Sequence, residues 1–493
     1  MTEYHVVQGG GGENGTLPTL KAAEMVVRAG DSVIIGAGQY LTLSAPPGTH
    51  WRAADGERVV IDGGWNGKKQ DTESGKAAVG LGAGATLTGV VIRNALGAGA
   101  VLGDNAALIG CAIERSYGNG VHLWRVKGAR VEGCTISESC SRFTVGGQQG
   151  GASVAIVHCA DCVVEGNTIA YGYGEGIDIG RGSKGIRVAD NTVFDHKHVQ
   201  IYFVRSQASV AEGNVVFHTG DARFLTRNGR TPGGIVFGDE GTDKMDEIAP
   251  MRANVVRGNL VVNMGGLLAA RNNAPGHKDD SLYDTSLDAD TLIEDNTFVA
   301  GPMTQDAVLI VPNAQGRPHG PARFRRNVVV GPASAPANFR YEANAWQPAP
   351  AAGLRSAGDV AVELVNAAAA GTLKNQYPAV GHNLKLDDYR PVPGSALALG
   401  DIGALAAAGD VEPPPPDDDD EPVDWNALRV MVTTAATRLA SSQANVTEAQ
   451  RHTDGAAVLL GLAMVRLADA QQGQADAATE MAALLKKMNE YAA

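Results

Sequence analysis

A chain of 493 residues is longer than one ordinary hydrophobic core supports, so several domains or a repeat architecture is expected. Its 63 glycines and its aromatic content of only 5% favour a turn-rich, repetitive β-structure over a globular enzyme core. The formal net charge of −13 repels phosphate backbones and argues against nucleic acid as a partner. No window of about 18 apolar residues is present, so no membrane span is predicted.

A short phrase recurs along the middle of the chain, for example as RVEGCTISES, VVEGNTIAYG and RVADNTVFDH. Each copy has apolar residues, a small or polar residue, a Cys or Asn marker, and then alternating apolar positions. The markers are Cys111, Cys134, Asn167, Asn191, Asn214, Asn259, Asn296 and Asn327. Subtracting neighbouring positions gives spacings of 23, 33, 24, 23, 45, 37 and 31 residues. A bare period of 23–24 residues, lengthened elsewhere by insertions, predicts a β-solenoid with one coil per repeat.

The markers have a structural rather than a catalytic interpretation. Asn tolerates the left-handed conformation of a sharp turn, and its side chain can bond nearby backbone. With strands stacked about 4.8 Å apart, the amides can also bond one another as an inward ladder. Cys111 and Cys134 at marker positions are then expected to be buried, reduced fillers.

A second alternation of apolar and polar residues follows each marker, in segments such as GNGVHLWRV, GASVAIVHC, GEGIDIGRG and KHVQIYFVRS. Alternate side chains of a strand point to opposite faces. The residues predicted to point inward are Val121, Leu123, Ile177, Ile179, Val199 and Ile201. One predicted outward column contains His122, Ala155, Asp178, Gln200, Val236 and Leu268. The next contains Trp124, Val157, Gly180, Tyr202, Gly238 and Ala270.

These phrases resemble the right-handed parallel β-helix, or pectin-lyase-like, repeat family over residues 4–401. The segment TLKAAEMVVRAGDSVIIGAGQY is similar to that family's opening, and the resemblance implies that its amphipathic helix caps the solenoid. Capping has a physical basis, because an uncapped coil exposes strand edges and core. LDDYRPVPGSALALGDIGA resembles the closing segment of such chains. The predicted fold class is an all-β solenoid, a right-handed parallel β-helix with an N-terminal capping helix and a C-terminal α-helical segment.

Function is less constrained, since the family that the chain resembles includes lyases, hydrolases, epimerases and non-enzymatic spikes. Polar and aromatic residues concentrate at outward positions of the middle coils, between residues 122 and 240. Aromatic rings can stack on sugars and arginines can pair with carboxylates, so a polysaccharide is the predicted partner. The predicted substrate-binding residues are Trp124, Arg125, Gln200, Tyr202 and Asp239. The predicted catalytic residues are Asp178, Arg181, His122, Glu175 and Arg205.

Two reactions fit these residues. In a lyase, Arg181 or Arg205 would neutralise a uronate carboxylate while a base takes the C5 proton. The candidate bases are His122, His196, Lys197 and His198. In a hydrolase, two carboxylates flank the glycosidic bond roughly 5–10 Å apart. The candidate pairs join Asp178 to Glu175, Asp239 or Glu240. The calcium cluster of pectate lyases, the Lys–Arg pair of alginate lyases and the paired aspartates of polygalacturonases are not recognised in the sequence.

No metal and no cofactor are predicted. His196 and His198 flank Lys197, whose charge disfavours a cation. Cys159 and Cys162 form a lone C-x-x-C pair without a second pair at matching spacing. Calcium on the aspartate run at 417–420 is an alternative, but the run fits a solvated spacer better.

The predicted domains are a capped β-helix at 1–405, an acidic Pro/Asp-rich linker at 406–424 and a coiled-coil-like helical tail at 425–493. The tail would support homo-oligomerisation or attachment to a larger assembly. The alternative function is therefore a non-catalytic, glycan-binding or structural spike, such as a virion appendage. The opening MTEYHVVQGGGG lacks the features of a secretory signal peptide. An extracellular or virion-associated location is nevertheless expected.

Overall fold

The computed structural model describes residues 2–9, 16–70, 75–147, 150–226, 229–239, 251–272, 287–312, 318–400 and 402–405. The side chains of residues 239, 271 and 272 are outside this description. The predicted linker, its aspartate run and the helical tail also lie outside the described residues, so all three stay predictions.

The described chain consists mainly of short strands. The first are β1 (Glu3–Val6), β2 (Thr16–Leu17), β3 (Ser32–Ile35), β4 (Gly38–Tyr40), β5 (Leu43–Ala45), β6 (His50–Ala53), β7 (Val59–Asp62), β8 (Val79–Leu81), β9 (Thr86–Thr88), β10 (Val91–Arg93), β11 (Ala100–Leu102), β12 (Ala107–Ile109) and β13 (Ala112–Glu114). The middle coils contain β14 (Val121–Trp124), β15 (Arg130–Glu132), β16 (Thr135–Ser137), β17 (Ala152–Val157), β18 (Val163–Glu165), β19 (Thr168–Ala170), β20 (Glu175–Ile179), β21 (Arg187–Ala189), β22 (Thr192–Phe194), β23 (Ile201–Val204), β24 (Val210–Glu212) and β25 (Val215–Phe217). The later coils contain β26 (Gly233–Asp239), β27 (Val255–Arg257), β28 (Leu260–Val262), β29 (Gly266–Asn272), β30 (Leu292–Glu294), β31 (Thr297–Val299), β32 (Asp306–Ile310), β33 (Arg323–Arg325), β34 (Val328–Val330), β35 (Ala333–Ser334), β36 (Arg340–Glu342) and β37 (Ala345–Gln347).

These strands form three sheets of 14, 12 and 11 strands within the described residues. Sheet A runs from β2 and β1 through β3 and β6 to β36, sheet B from β4 to β37, and sheet C from β5 to β35. One coil takes one strand from each sheet, as in β15, β16 and β17, and stacks in parallel on the next coil. The predicted parallel β-helix is therefore confirmed.

The asparagine markers occupy the turn from sheet A to sheet B and form the predicted ladder. Asn167 Nδ2 donates to Asn191 Oδ1 at 2.8 Å, and Asn191 Nδ2 donates to Asn214 Oδ1 at 3.0 Å. The series continues through Asn259, Asn296, Asn327 and Asn344. Each of these oxygens also accepts a backbone N–H from the preceding coil, as Asn214 Oδ1 does from Asn191. The ladder thus satisfies buried polar groups at every turn that it joins.

One detail of the predicted turn is wrong. The left-handed residue is the one before each asparagine, as in Gly166 with φ 65° and Asp190 with φ 53°. The asparagine itself enters the next strand, which directs its amide inward to bond the neighbouring coil.

The solenoid interior is filled by the predicted inward residues. Five of them are completely buried, namely Val121, Leu123, Ile177, Ile179 and Ile201. Val199 is only half-buried and packs with Tyr202 on the outer face, so its predicted inward position is wrong. All five cysteines are free and buried, which confirms the prediction for Cys111 and Cys134.

A short helix precedes the first long strand, as the sequence predicts. Helix α1 (Leu20–Val26) begins after Thr19, whose Oγ1 accepts the Ala22 N–H at 3.0 Å. Leu20 and Ala23 of this helix are buried in the main core. Its role as an end cap stays a prediction. No helix among the described residues is long and apolar enough to cross a membrane.

Residues 364–405 return over the outer face of sheet B. The sheet positions that they cover are apolar, and include Ala170, Phe194, Phe217, Leu260, Val262 and Val299. Phe194 and Phe217 stack with ring centroids 4.8 Å apart, and the His382 ring packs edge-on against both. The returning segment contains 3-10 turns at Ala367–Thr372 and Leu386–Tyr389 and the helix α2 (Ala396–Leu399). This layer leaves sheet C as the flank on which the predicted site lies.

Candidate functional site

Sheet C brings together part of the predicted outward columns. His122 lies beside Ala155, and Ala155 beside Asp178, as predicted. The next member is Tyr202 rather than Gln200, followed by Val236 and Ala269 rather than Leu268. In the second column Trp124 lies beside Val157, as predicted. Val204 rather than Tyr202 pairs with Gly238, and Ala270 points into the core.

The difference between the predicted and the observed strand register begins at Gln200. Because Ile201 pairs with Ile177, Gln200 aligns with Gly176 at the corner before the strand. Its side chain is completely buried there. Its Oε1 accepts from His196 Nδ1 at 2.9 Å, and its Nε2 donates to the His198 carbonyl at 3.1 Å. The predicted exposure of Gln200 to a ligand is therefore wrong.

Two further predicted residues are also buried. Tyr202 is 4% exposed and packs on the outer face with Val204, Val236 and Ala269. Arg205, in the turn after β23, is 2% exposed. Their predicted positions on an open surface are therefore wrong. Asp239 ends β26, but its side chain and the whole of Glu240 lie outside the described residues.

One margin of the site is a stack of basic residues at the ends of three successive strands of sheet C. We call Arg125, His158 and Arg181 the basic margin. The Arg125 N–H donates to the Val157 carbonyl at 3.0 Å, and the His158 N–H donates to the Arg181 carbonyl at 3.1 Å. These bonds link the three residues from coil to coil, so the margin is a series of basic residues on successive coils.

Trp124 stands beside the basic margin. Its side chain is 46% exposed. The centroids of the Trp124 and His158 rings lie 5.3 Å apart in an edge-to-face arrangement, and the Arg125 guanidinium carbon lies 5.7 Å from the Trp124 ring centroid. Because these neighbours hold the indole in place, Trp124 offers a fixed apolar surface next to positive charge.

The middle of the site contains His122 and Asp178 in one column of sheet C. Burial lowers the pKa of His122, so its imidazole is neutral near pH 7 and can accept a proton. Asp178 is half-buried, with its Oδ1 shielded from solvent. Ala155, which is buried, is the small residue between them in this column.

The opposite margin carries a carboxylate–imidazole pair. Glu175 Oε1 lies 3.3 Å from His198 Nδ1, and the two side chains are 18% and 29% exposed. The His198 N–H donates to the Gly174 carbonyl at 3.2 Å, and Gln200 bonds the His198 carbonyl. The backbone of His198 is thus fixed from both sides. Gly174 packs closely against the preceding coil, where a Cβ would lie 2.0 Å from the Gly151 carbonyl oxygen.

An insertion between β16 and β17 borders the Glu175–His198 pair. It contains a 3-10 turn at Ser141–Val145, and Lys197 Nζ lies 5.1 Å from the Phe143 ring. Burial lowers the pKa of Lys197. Burial, together with the charge of Glu175, raises the pKa of the Cys140 thiol to about 12. The thiol is therefore protonated and inert beside the pair.

His196, another candidate base, lies inside the solenoid. Its Nε2 is 3.0 Å from Ser153 Oγ, and its Nδ1 donates to Gln200. Burial lowers its pKa to about 4. Because His196 is completely buried, it does not reach a substrate. Among the described residues no group of three or more His, Cys, Asp or Glu side chains is arranged to hold a metal ion.

Glu175 and His198 were predicted as separate site residues, and their contact was not predicted. Their separation of 23 residues equals one bare coil, which was the available signal. His158 was not among the predicted site residues. Its contact with Trp124 follows from the register of β14 on β17.

Comparison with known proteins agrees with this architecture. Residues 74–230 match the family model described as right handed beta helix region. Together with the three parallel sheets, this match confirms the predicted resemblance to right-handed parallel β-helix proteins. No curated protein sequence matches the chain significantly.

Several solved structures are distantly similar. The polygalacturonase from Erwinia carotovora ssp. carotovora is 13% identical, with a TM-score of 0.43 over 69% of this chain and 94% of that chain. The alginate lyase from Paenibacillus sp. str. FPU-7 is 14% identical, with a TM-score of 0.39 over 62% and 99%. A surface protein and adhesin of Streptococcus pneumoniae is 10% identical, with a TM-score of 0.43 over 66% and 91%. Likeness at this distance does not distinguish an enzyme from an adhesin.

Proposed function

We propose that the outer face of sheet C from β14 to β20, together with the adjoining His198, binds an acidic polysaccharide and cleaves it by elimination. The observation that carries this proposal is the contact of exposed Trp124 with the basic margin. A rigid aromatic face stacks on a sugar ring, while the adjacent cations pair with acidic substituents of the same chain.

The spacing of the basic margin supports a linear polyanion. Arg125, His158 and Arg181 belong to successive coils, which stack about 4.8 Å apart. This distance is comparable to the length of one sugar unit in an extended polysaccharide. A uronate chain running along the solenoid axis would therefore place its carboxylates close to successive basic side chains.

Elimination suits this arrangement better than hydrolysis. A cation that pairs with the uronate carboxylate makes the C5 proton easier to remove. A base takes that proton, the C5–H electron pair forms the C4–C5 double bond, and the C4–O bond breaks. A hydrolase needs two carboxylates directed at one glycosidic bond. Glu175, the carboxylate closest in sequence to Asp178, instead contacts His198.

The test is incubation of the purified full chain with uronate polymers and with neutral polysaccharides. Elimination produces an unsaturated uronate that absorbs in the ultraviolet, together with new reducing ends. We expect both signals with at least one uronate polymer and neither with neutral glucans. Reducing ends without ultraviolet absorbance would indicate hydrolysis and would overturn the proposed reaction.

A non-catalytic glycan-binding spike is the second candidate. The burial of Gln200, Tyr202 and Arg205 favours it, because three of the predicted polar residues are unavailable to a substrate. Saturable binding to a uronate polymer in a glycan array, without any product, would support this candidate.

A further inference from the structure

We propose that His198 is the general base of the reaction and that Glu175 positions it. This inference rests on the proposed function, because it names the residue that removes the C5 proton of the bound uronate. It selects one of four candidate bases, and it assigns to Glu175 a role other than direct contact with the substrate.

The geometry of the pair supports this assignment. Glu175 Oε1, a hydrogen-bond acceptor, lies 3.3 Å from His198 Nδ1, so the proton of the neutral imidazole resides on Nδ1. The other ring nitrogen, Nε2, then carries the lone pair that can accept a proton. A carboxylate that fixes the tautomer and orientation of an imidazole is a recurring arrangement for a general base.

The backbone around His198 adds to this orientation. Its N–H and its carbonyl are both bonded, to Gly174 and to Gln200 respectively. Gln200 is itself held by His196 inside the solenoid. The side chain of His198 therefore projects from a backbone that is fixed by the interior, while its ring remains partly exposed at the margin.

The position of the pair matches the proposed substrate path. Glu175 begins β20, and Asp178 lies near the end of the same strand. Three residues of extended chain span roughly 10 Å, so the pair and the basic margin border opposite sides of one strand-wide surface. Because C5 carries both the carboxylate and the proton, the sugar that reacts lies beside His198, and the basic margin would pair with carboxylates of other sugars in the same chain.

The proposed step is balanced. His198 Nε2 takes the C5 proton, the C5–H electrons form the C4–C5 double bond, and the C4–O bond breaks. The departing glycosidic oxygen receives a proton from water, and protonated His198 then releases its proton to solvent. No oxidant, reductant or metal is required.

His122 and Lys197 are the competing bases. His122 is neutral. Its neighbours within the site are Trp124 and Ala155, and its ring contacts no carboxylate among the described residues. Lys197 donates to the Leu225 carbonyl and packs over Phe143. The contacts of His122 and Lys197 do not orient a proton acceptor, whereas the contact of His198 with Glu175 does.

The test compares His198→Asn with wild type in the full chain, by steady-state kinetics on the uronate polymer that gives product. A general base contributes roughly 100-fold to 10,000-fold to the rate, so we expect kcat to fall by about 100-fold or more with KM little changed. His50→Asn is the matched control, since His50 is exposed on sheet A and its ring bonds only the Thr86 hydroxyl among the described residues. The backbone bonds of His198 do not use its side chain, so the variant should keep the wild-type melting temperature.

Two additional variants separate catalysis from structure. Added imidazole should restore activity to His198→Ala, because a free base can occupy the vacated space. Glu175→Gln retains an oxygen that accepts the Nδ1 proton and should keep more activity than Glu175→Ala. Equal loss in the two Glu175 variants, or a loss in His198→Ala that imidazole does not reverse, would overturn the assignment.

The remaining outcomes are distinguishable. If wild type forms the unsaturated product and His198→Asn does so at a similar rate, the base is another residue while the proposed function stands. If wild type binds the polymer but forms no product, both the elimination and its base are refuted, and only the binding function remains.

Discussion

Asn375 follows Asp195 by 180 residues, yet its Nδ2 donates to the Asp195 carboxylate at 2.6 Å. The carboxylate is completely buried and also accepts from the backbone N–H and the hydroxyl of Thr219, each at 2.8 Å. Asn375 additionally donates to Asp221 at 3.0 Å. One side chain thus fastens the returning segment to two middle coils.

Replacing Asn375 should weaken this attachment. Asn375→Ala leaves a buried carboxylate with fewer donors, so we expect the free energy of unfolding to fall by about 1–3 kcal/mol. Urea unfolding followed by circular dichroism measures the change. Asn366→Ala is the control from the same segment, because Asn366 is exposed and bonds Asp388 at 3.3 Å. A similar loss in both variants would contradict a specific role for Asn375.

The asparagine ladder predicts a second stability effect. Asn214→Ala removes the oxygen that accepts both the backbone N–H and the Nδ2 of Asn191. Unsatisfied buried donors cost about 1–3 kcal/mol each, so the melting temperature should fall by several degrees or more. Asn66→Ala, in an exposed turn, should leave it nearly unchanged. An unaltered melting temperature for Asn214→Ala would show that the ladder is not stabilising.

Trp124 predicts the location of binding. Trp124→Ala removes the exposed ring beside the basic margin, and we expect the Kd for an acidic polysaccharide to rise roughly tenfold, equivalent to about 1.4 kcal/mol. Isothermal titration calorimetry measures it. Leu41→Ala provides the comparison, since Leu41 is a more exposed apolar residue at the N-terminal coils. Equal affinities of Trp124→Ala and wild type would remove this face from consideration.

The basic margin predicts a dependence on ionic strength. Exposed charges are screened by salt, so the affinity for a uronate polymer should fall as salt is added. Arg125→Gln should weaken binding and flatten this dependence, because one cation is lost. Arg52→Gln, on sheet A, is the control, since Arg52 pairs there with Asp55. Salt-independent binding in wild type would argue against an acidic ligand.

His196 predicts how stability changes with pH. Burial lowers its pKa from the ordinary 6.5 to about 4 in the folded chain. Between these values the unfolded chain binds a proton that the folded chain does not, so stability is lost as pH falls through this window. The loss attributable to His196 is on the order of 3 kcal/mol.

Urea unfolding at several pH values between 6.5 and 4 measures this slope, and His196→Gln should reduce it. Nitrogen NMR of the wild-type imidazole supplies an independent check, because the folded protein should retain neutral His196 at pH 5. A protonated ring at that pH would contradict the prediction.

The sequence predicted the solenoid and its ladder because both depend on local patterns. Alternation assigns each strand its inner face, and the marker spacing assigns the coils. The register of β23 was missed, because Gln200 is polar and was placed outside by alternation. The Gln200 side chain is buried at the corner that aligns with Gly176 of the preceding coil. It bonds His196 there, and no alternation pattern indicates that contact.

The fold-back of residues 364–405 could not be predicted for a different reason. Phe194 and Phe217 occupy outward positions, which indicates that something covers them but not what does so. The covering residues, such as Leu373 and Tyr389, lie far away in sequence. The site was predicted in part: Trp124, Arg125 and Asp178 are where the pattern put them, whereas Tyr202 and Arg205 are not, since burial depends on packing beyond the strand.

The late position in the chain of the segment that covers sheet B has a consequence for biosynthesis. The sheet B strands β19, β22, β25 and β28 are synthesised before the segment that covers their outer face. Asn375 of that segment follows Asp195 by 180 residues. At a synthesis rate of roughly 5–20 residues per second, this face stays uncovered for on the order of ten to forty seconds. During that interval Phe194 and Phe217 are exposed apolar side chains on a nascent chain. We therefore expect a chaperone to bind these coils.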